Sequence, residues 1–172
     1  MVTTLANNIA EYIKKQNPEQ TASVQVMRFA LEGIFNSLII LFIIIFFGII
    51  MGNLKDCLLA SVFFMGLRFV SGGYHFKTSL QCTIVSSSIV ILASLFSLNE
   101  SLILTVSFAT IILLLIFAPS NIENHARIPK KYFIYLKLAS ITIVLISLFI
   151  MNSSVSIILF LQALSTVDLL KW

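Results

Sequence analysis

The sequence predicts an all-α integral membrane protein of about six transmembrane or partly re-entrant helices, with an N-terminal amphipathic helix and both termini in the cytoplasm. Hydrophobic residues make up 59% of the 172 residues and charged residues only 10%, and the mean hydropathy is +1.04. A soluble domain carries about 25% charged residues, and a water-soluble fold of this length could not bury so much apolar surface. The apolar residues are also grouped into long runs, as the bilayer requires.

The first element is a polar N-terminal region, residues 1–32, which we expect to be cytosolic or interfacial. Leu5, Ile9, Tyr12 and Ile13 recur at helical spacing and indicate an amphipathic helix that ends before Pro18. That helix lies either in the membrane interface or against the cytosolic face of the protein itself. The sequence favours neither alternative.

Residues 33–172 form the predicted polytopic membrane domain, which contains six apolar segments. They are residues 34–51, 57–70, 80–98, 102–118, 133–151 and 155–170. The segment 57–70 is the weakest candidate, because it is short and carries Arg68 near its end. Several segments are shorter than the ~20 residues of a perpendicular span, so local thinning of the bilayer and re-entrant segments are alternatives.

Basic residues predict the orientation of these segments, because Lys and Arg accumulate on the cytoplasmic side. With six spans and the N-terminus inside, Lys55 alone falls on the outer side. The connection between Arg68 and Ser79 is then cytoplasmic, where a thiol stays reduced. The net charge of +4 does not indicate a nucleic-acid partner, since the basic residues are scattered between apolar runs.

This connection contains the residues best suited to chemistry, namely Gly72, Gly73, His75 and, seven residues after His75, Cys82. On one straight helix beginning near Tyr74, His75 and Cys82 would share a face but lie about two turns apart, too far for contact. A loop or bend at residues 76–78 would close the gap. The sequence therefore permits a Cys–His dyad without requiring one.

A dyad of this kind would make a nucleophile. A free cysteine has a pKa near ~8.5 and is mostly a thiol at neutral pH, and an adjacent imidazole accepts the proton to give the thiolate. Arg68 and Lys77 add positive potential, and the backbone N–H groups of Gly72 and Gly73 are candidate oxyanion donors. The group that orients His75 stays open among four candidates: Glu32, Ser71, Ser79 and Gln81.

The alternative interpretation is structural, with Cys82 as a small packing residue and His75 at the lipid headgroups. Cys57 is a poorer nucleophile, since Asp56 precedes it and disfavours a thiolate. His125 lies in a polar loop and is expected to be solvated. Two histidines on separate loops with few carboxylates predict no metal site, and we expect no cofactor.

The segment from Arg68 through Gly72, Gly73 and His75 to Cys82 resembles the AgrB family (accessory gene regulator B), membrane endopeptidases that process quorum-sensing propeptides. Three further features agree: Ala118-Pro119 followed by a polar loop, Ile128-Pro129 ahead of a basic pair, and Glu32 where the family often has Glu or Gln. The resemblance covers nearly the whole chain, and the His–Cys segment is its most specific part.

The resemblance implies a thiol protease of the bacterial cell membrane whose active site faces the cytoplasm, with residues 33–172 as the peptidase domain. His75 and Cys82 would be catalytic, and Glu32, Arg68, Gly72 and Gly73 would support the substrate or the structure. The implied partners are an AgrD-like propeptide and the lipid bilayer, and a homodimer is compatible with the resemblance. Cys82 would cleave off the propeptide's C-terminal tail and form an acyl-thioester, which then closes as a thiolactone or lactone.

Two other classes of function remain open. A small polytopic peptide exporter would also be basic on the inside, but it should not depend on one thiol. A non-catalytic membrane scaffold would tolerate the loss of both Cys82 and His75.

Overall fold

The computed structural model describes residues 2–74, 78–120 and 129–167, and these residues form seven α-helices without a β-strand. The helices are α1 (Val2–Gln16), α2 (Val24–Ile50), α3 (Leu54–Ser71), α4 (Ser79–Ala93), α5 (Glu100–Phe117), α6 (Phe133–Ile150) and α7 (Ser153–Leu164). A 3₁₀ turn, Lys130–Tyr132, precedes α6. Helices α2 to α7 each overlap one of the six predicted apolar segments, and the all-α prediction is confirmed for the described residues.

The outer surface of the bundle is apolar. Among the described residues α2, α5 and α6 are long and apolar enough to cross a membrane, whereas α4 and α7 are apolar but shorter. Large side chains such as Phe42, Phe69 and Phe149 point outward, and Phe149 is 90% exposed. A surface of this kind is stable against lipid and not against water. The structure is therefore that of a membrane protein.

Helices α3 and α7 lie at the centre of the bundle. One core cluster joins α3, α5, α6 and α7 through Leu67, Leu114, Val144 and Leu159. A second joins α2, α3, α4 and α7 through residues that include Ile44, Cys57, Val90 and Ile158. Helix α3 corresponds to the weakest candidate segment, which is short and carries Arg68. It is a core element, because it packs against α2, α4, α6 and α7 and needs less apolar surface than a lipid-facing helix.

The N-terminal helix α1 packs against α2. Its contact face is made of small residues, since Ala6 and Ala10 are fully buried while Leu5 is 51% and Tyr12 64% exposed. Small residues allow two helix backbones to approach closely. The predicted amphipathic helix is confirmed as a helix, and its large apolar side chains face away from the protein.

Helix α2 begins earlier than its apolar segment. Ser23 caps the helix by accepting a hydrogen bond from the Val26 N–H at 3.4 Å, and α2 then continues unbroken to Ile50. At about 1.5 Å per residue the helix is about 40 Å long. The predicted domain boundary at residue 33 therefore lies inside a helix.

Polar contacts collect at two opposite ends of the bundle. At one, which we name the Lys55 end, Asn152 Nδ2 donates to Asp56 Oδ1 at 2.8 Å and the Leu98 N–H donates to Ser153 Oγ at 2.9 Å. The other, the Arg68 end, contains the last residues of α3, α5 and α7 and the first residues of α4 and α6. Consecutive helices from α2 to α7 run alternately between the two ends, as the sequence predicts.

Candidate functional site

The candidate site lies at the Arg68 end, where α3 stops. Gly72 caps α3 with a positive φ of 69°, and its N–H donates to the Arg68 carbonyl at 3.1 Å. Gly can adopt this backbone conformation at little cost because it lacks a Cβ. The chain therefore turns sharply at Gly72 and leads into the segment that contains His75.

Arg68 extends from the last turn of α3 to three groups. Its Nη2 donates to the Tyr74 carbonyl at 2.8 Å, its Nη1 donates to Gln162 Oε1 at 3.3 Å, and its guanidinium lies 5.7 Å from the centre of the Phe64 ring. An arginine inside a membrane protein is costly unless it has partners of this kind. The guanidinium therefore ties the end of α3 both to the turn that follows and to α7.

Two other segments hold this turn through its backbone. The Gly73 N–H donates to the Ser120 carbonyl and the Ser120 N–H donates to the Ser71 carbonyl, each at 3.0 Å. The Tyr74 N–H donates to the Ser165 carbonyl at 2.9 Å. Ser120 directly follows the Ala118-Pro119 motif, so the two sequence features that resemble the AgrB family meet in space.

The backbone at Gly73 leaves no room for a side chain. Its φ is +118°, and a Cβ there would lie 2.5 Å from Ser165 Oγ and 3.2 Å from Gln162 Nε2. Gly73 is therefore required both for its conformation and for the close approach of α7.

The backbone N–H groups of both glycines are bound inside the protein. The Gly72 N–H donates to the Arg68 carbonyl, and the Gly73 N–H donates to the Ser120 carbonyl. These hydrogen bonds stabilise the turn, and the oxyanion role of the two glycines stays a prediction.

Cys82 lies in the first turn of α4. Thr78 is the N-cap, in extended conformation, and its Oγ1 accepts a hydrogen bond from the Gln81 N–H at 3.3 Å. The Cys82 N–H donates to the Thr78 carbonyl at 3.2 Å. The helix begins at Ser79 and not near Tyr74, so the single straight helix that would have separated His75 from Cys82 is not formed.

Cys82 is half-buried, and its Sγ lies 4.0 Å from Ser86 Oγ. The amino end of a helix carries a partial positive charge, which stabilises a nearby negative charge. The first turn of α4 therefore favours a negative charge on the Cys82 sulfur.

His75 lies outside the described residues, together with Lys77 and His125. The residue before it, Tyr74, is held by hydrogen bonds to both Arg68 and Ser165.

The other predicted residues are distributed as follows. Glu32 forms an ion pair with Arg28 on α2 at 3.5 Å, without a hydrogen bond between them. Ser71 is buried and accepts a hydrogen bond from Gln162. Cys57 is buried at the Lys55 end, where its Sγ contacts Ser94 Oγ at 3.1 Å. Among residues 2–74, 78–120 and 129–167 there is no cluster of three His, Cys, Asp or Glu that could bind a metal.

Sequence reasoning missed the contribution of α7 to this site. Gln162 is 1% exposed and donates to the Gly72 carbonyl at 2.7 Å, and Ser165 binds Tyr74. A signal was present, because a glutamine inside an apolar segment needs buried partners. The hydrogen-bond partners of Gln162 could not be predicted, because the sequence pattern of an apolar helix does not show which other helices pack against it.

Together these features define a helical membrane protein with a polar site, centred on Arg68, at the end of the bundle where α4 begins with Cys82 in its first turn. The chain belongs to the AgrB family: the family model for accessory gene regulator B matches residues 6–168. An AgrB-like protein of Halalkalibacterium halodurans is 31% identical over 86 residues, which are 50% of this chain and 44% of that relative. The match thus spans less than half of the relative's length. No solved structure matches the chain.

With the apolar helices α2, α5 and α6, family membership makes the chain a helical membrane protein of the AgrB family.

Proposed function

We propose that this chain is a membrane-embedded cysteine endopeptidase, which removes the C-terminal tail of an AgrD-like autoinducing-peptide precursor and promotes ring closure through an acyl-thioester. The observation that best supports the proposal is the position of Arg68. Its guanidinium binds the Tyr74 carbonyl, whose carbon is bonded to the His75 nitrogen. Cys82 lies in the first turn of α4, which begins at the same end of the bundle.

The proposed acylation forms one bond and breaks another. The Cys82 sulfur attacks the carbonyl carbon of the residue that will end the ring, and His75 accepts the thiol proton. The carbon–nitrogen bond then breaks, and His75 gives the proton to the leaving amine of the tail. The ring segment stays on Cys82 as a thioester.

Ring closure consumes this thioester. A cysteine thiol of the propeptide attacks the thioester carbon, its proton passes to the departing Cys82 sulfur, and a thiolactone is released. Exchange of one thioester for another is close to thermoneutral, whereas a serine enzyme would have to make a thioester from an ester, an uphill step. Excluding water from the site would suppress hydrolysis of the intermediate.

Positive charge supports both the nucleophile and the substrate. The first turn of α4 and the Arg68 guanidinium would stabilise negative charge on sulfur. Arg68 is also the candidate to hold the acidic tail of the propeptide, because a guanidinium can bind a carboxylate with two hydrogen bonds.

The proposed setting is the bacterial cell membrane, with α2 to α7 crossing the bilayer and both termini in the cytoplasm. The asymmetry of basic residues supports this orientation, since Lys55 alone is assigned to the outer side. The Arg68 end would then face the cytoplasm, where the thiol stays reduced.

The decisive experiment is the search for an adduct on Cys82. The purified protein is incubated with the AgrD-like propeptide of the same bacterium, and the protein mass should rise by that of the propeptide without its tail. Replacing the propeptide's ring-forming cysteine by Ala should make the adduct accumulate, and neutral hydroxylamine should release it. His75→Ala should slow its formation at neutral pH, and higher pH should partly restore it, because more thiol ionises without a base.

The second cysteine provides the matched control. Cys82→Ala should abolish cleavage, and Cys57→Ala should not, because Cys57 is buried at the Lys55 end. A peptide exporter or a scaffold would give no adduct and would work normally without Cys82. Cleavage by Cys82→Ala protein would end the cysteine-peptidase proposal.

A further inference from the structure

Helix α7 contains a single amide side chain, Gln162, among apolar residues and serines. Gln162 is 1% exposed. Burying an amide is unfavourable unless its polar atoms are hydrogen-bonded, so its partners indicate its role.

Both the nitrogen and the oxygen of this amide form hydrogen bonds. Nε2 donates to the Gly72 carbonyl at 2.7 Å and to Ser71 Oγ at 3.2 Å, and Oε1 accepts from Arg68 Nη1 at 3.3 Å. The oxygen thus faces a cation and the nitrogen faces a carbonyl. A carboxylate of the same size would keep the first contact and lose the donors, and an apolar side chain would lose both.

The end of α7 holds the same turn at a second point. The Ser165 carbonyl accepts from the Tyr74 N–H at 2.9 Å, and Ser165 Oγ donates back to the Gln162 carbonyl at 2.7 Å. Gln162 and Ser165 therefore bind the turn on both sides of Gly73, which packs against them without a side chain.

We propose that Gln162 is a positioning residue, which holds the Arg68 guanidinium and the Gly72 carbonyl together and so fixes the turn from Gly72 to Tyr74 at the end of the bundle where α4 begins with Cys82 in its first turn. The effect of Gln162 on catalysis rests on the proposed function. The effect of Gln162 on the surroundings of the Cys82 thiol can be tested without that function. The charged and titratable groups on the described elements around this end belong to four elements. They are Arg68 and Tyr74 in and after the last turn of α3, Arg28 and Glu32 on α2, Cys82 on α4, and Lys131, Tyr132, Tyr135 and Lys137 at the start of α6. The described part of α7 contributes none.

The test compares two substitutions in full-length protein that carries Cys57→Ala, so that Cys82 is its one thiol. Gln162→Glu places a carboxylate against Arg68 and offsets its charge, whereas Gln162→Met leaves that charge and removes the hydrogen bonds. The measurements are alkylation of Cys82 by iodoacetamide from about pH 6 to about pH 9, and steady-state cleavage of the AgrD-like propeptide. Ser156→Ala, a buried polar substitution in the first turn of α7, is the control.

Gln162→Glu should slow alkylation about tenfold at neutral pH and less at high pH, because the added negative charge disfavours the thiolate. Gln162→Met should lower kcat about tenfold with KM changed less than about twofold, since substrate groups are not contacted. Ser156→Ala should change neither, and all variants should extract as monodisperse protein. The proposal is overturned if Gln162→Glu, folded by that criterion, alkylates with the pH profile of the parent. If Cys82→Ala still cuts the propeptide, the proposed function fails while the alkylation result continues to test Gln162.

Discussion

At the scale of single residues, Arg68 illustrates how a charge is accommodated at a membrane edge. Its two terminal nitrogens bind a backbone carbonyl and a buried amide, and its plane lies near Phe64. Hydrogen bonds to a charged group contribute about 1.5–3 kcal/mol each, so these contacts offset much of the cost of removing Arg68 from water. The residue that weakened the prediction of α3 as a span is thus the residue that organises the site.

Gly73 allows a direct test of this organisation. Gly73→Ala should cost about 1–3 kcal/mol for the positive φ alone, and the added Cβ would also push against Ser165 Oγ, 2.5 Å away. We expect lower thermal stability in detergent and at least about a tenfold loss of propeptide cleavage, because the turn must move.

Gly66→Ala is the matched control for this substitution. Gly66 lies on α3, the helix that precedes the turn at Gly73, and its added Cβ would meet only Ile143 Cδ1, at 3.8 Å. This variant should be as stable as the parent or more so, since Ala is the better helix former. Equal cleavage by the two variants would show that the turn at Gly73 tolerates displacement and does not position the site.

At the scale of elements, the start of α4 decides where Cys82 lies. The helix begins one residue after Thr78, whose side chain caps it, and this puts the thiol in the first turn. A cap of this kind contributes about 1 kcal/mol to helix stability. Fraying of this turn would move the thiol away from the positive helix end and from Arg68.

Thr78→Ala should therefore slow formation of the Cys82 adduct several-fold, whereas Thr78→Ser should not, because serine keeps the capping oxygen. Asn99→Ala removes the corresponding cap of α5, where Oδ1 accepts from the Leu102 N–H at 2.9 Å. Asn99→Ala should lower thermal stability about as much as Thr78→Ala does, but it should not change the rate of adduct formation. If the Thr78→Ala and Asn99→Ala proteins form the adduct equally fast, the first turn of α4 does not control the nucleophile.

At the scale of the whole molecule, the two polar ends predict the topology. Reporters fused after Lys131 and at the C-terminus should read cytoplasmic, and a reporter near Asn53 should read external, because Lys55 is the one basic residue assigned outside. Site-specific labelling of Tyr74 replaced by Cys provides an independent measurement. Labelling only from outside would contradict both the six-span topology and a cytoplasmic active site.

The architecture was largely predictable because apolar runs, charges and caps are local features of the chain. The six segments, the N-terminal helix and the need of Arg68 for partners follow from such features. The packing of the helices against one another could not be predicted from these local features. Helices α3 and α7 pair through buried residues that are far apart in the sequence, such as Leu67 and Leu159. Helices in lipid have no strong polar face to reveal which side meets protein.

The candidate site was also predictable only in its local features, and not in its contacts with other helices. The connection from Arg68 to Cys82 stands out because polar and small residues interrupt apolar sequence there. The partners of that connection, Ser120 and Gln162, belong to other elements and carry no signal of their proximity. Glu32, one of the four candidates to orient His75, forms an ion pair with Arg28, which lies one turn away on the same helix.

The hydrogen bond between Gln162 and Gly72 joins residues that are 90 positions apart in the sequence, so the ribosome adds the two residues at different times. Chains are made from the N-terminus at about 5–20 residues per second, so the turn is translated roughly 5–18 seconds before the helix that supports it. During that interval the nascent protein carries its thiol without the α7 contacts. Ribosomal products that stop before α7 are therefore expected to insert into the bilayer yet remain inactive, which ties the onset of peptide processing to completion of the chain.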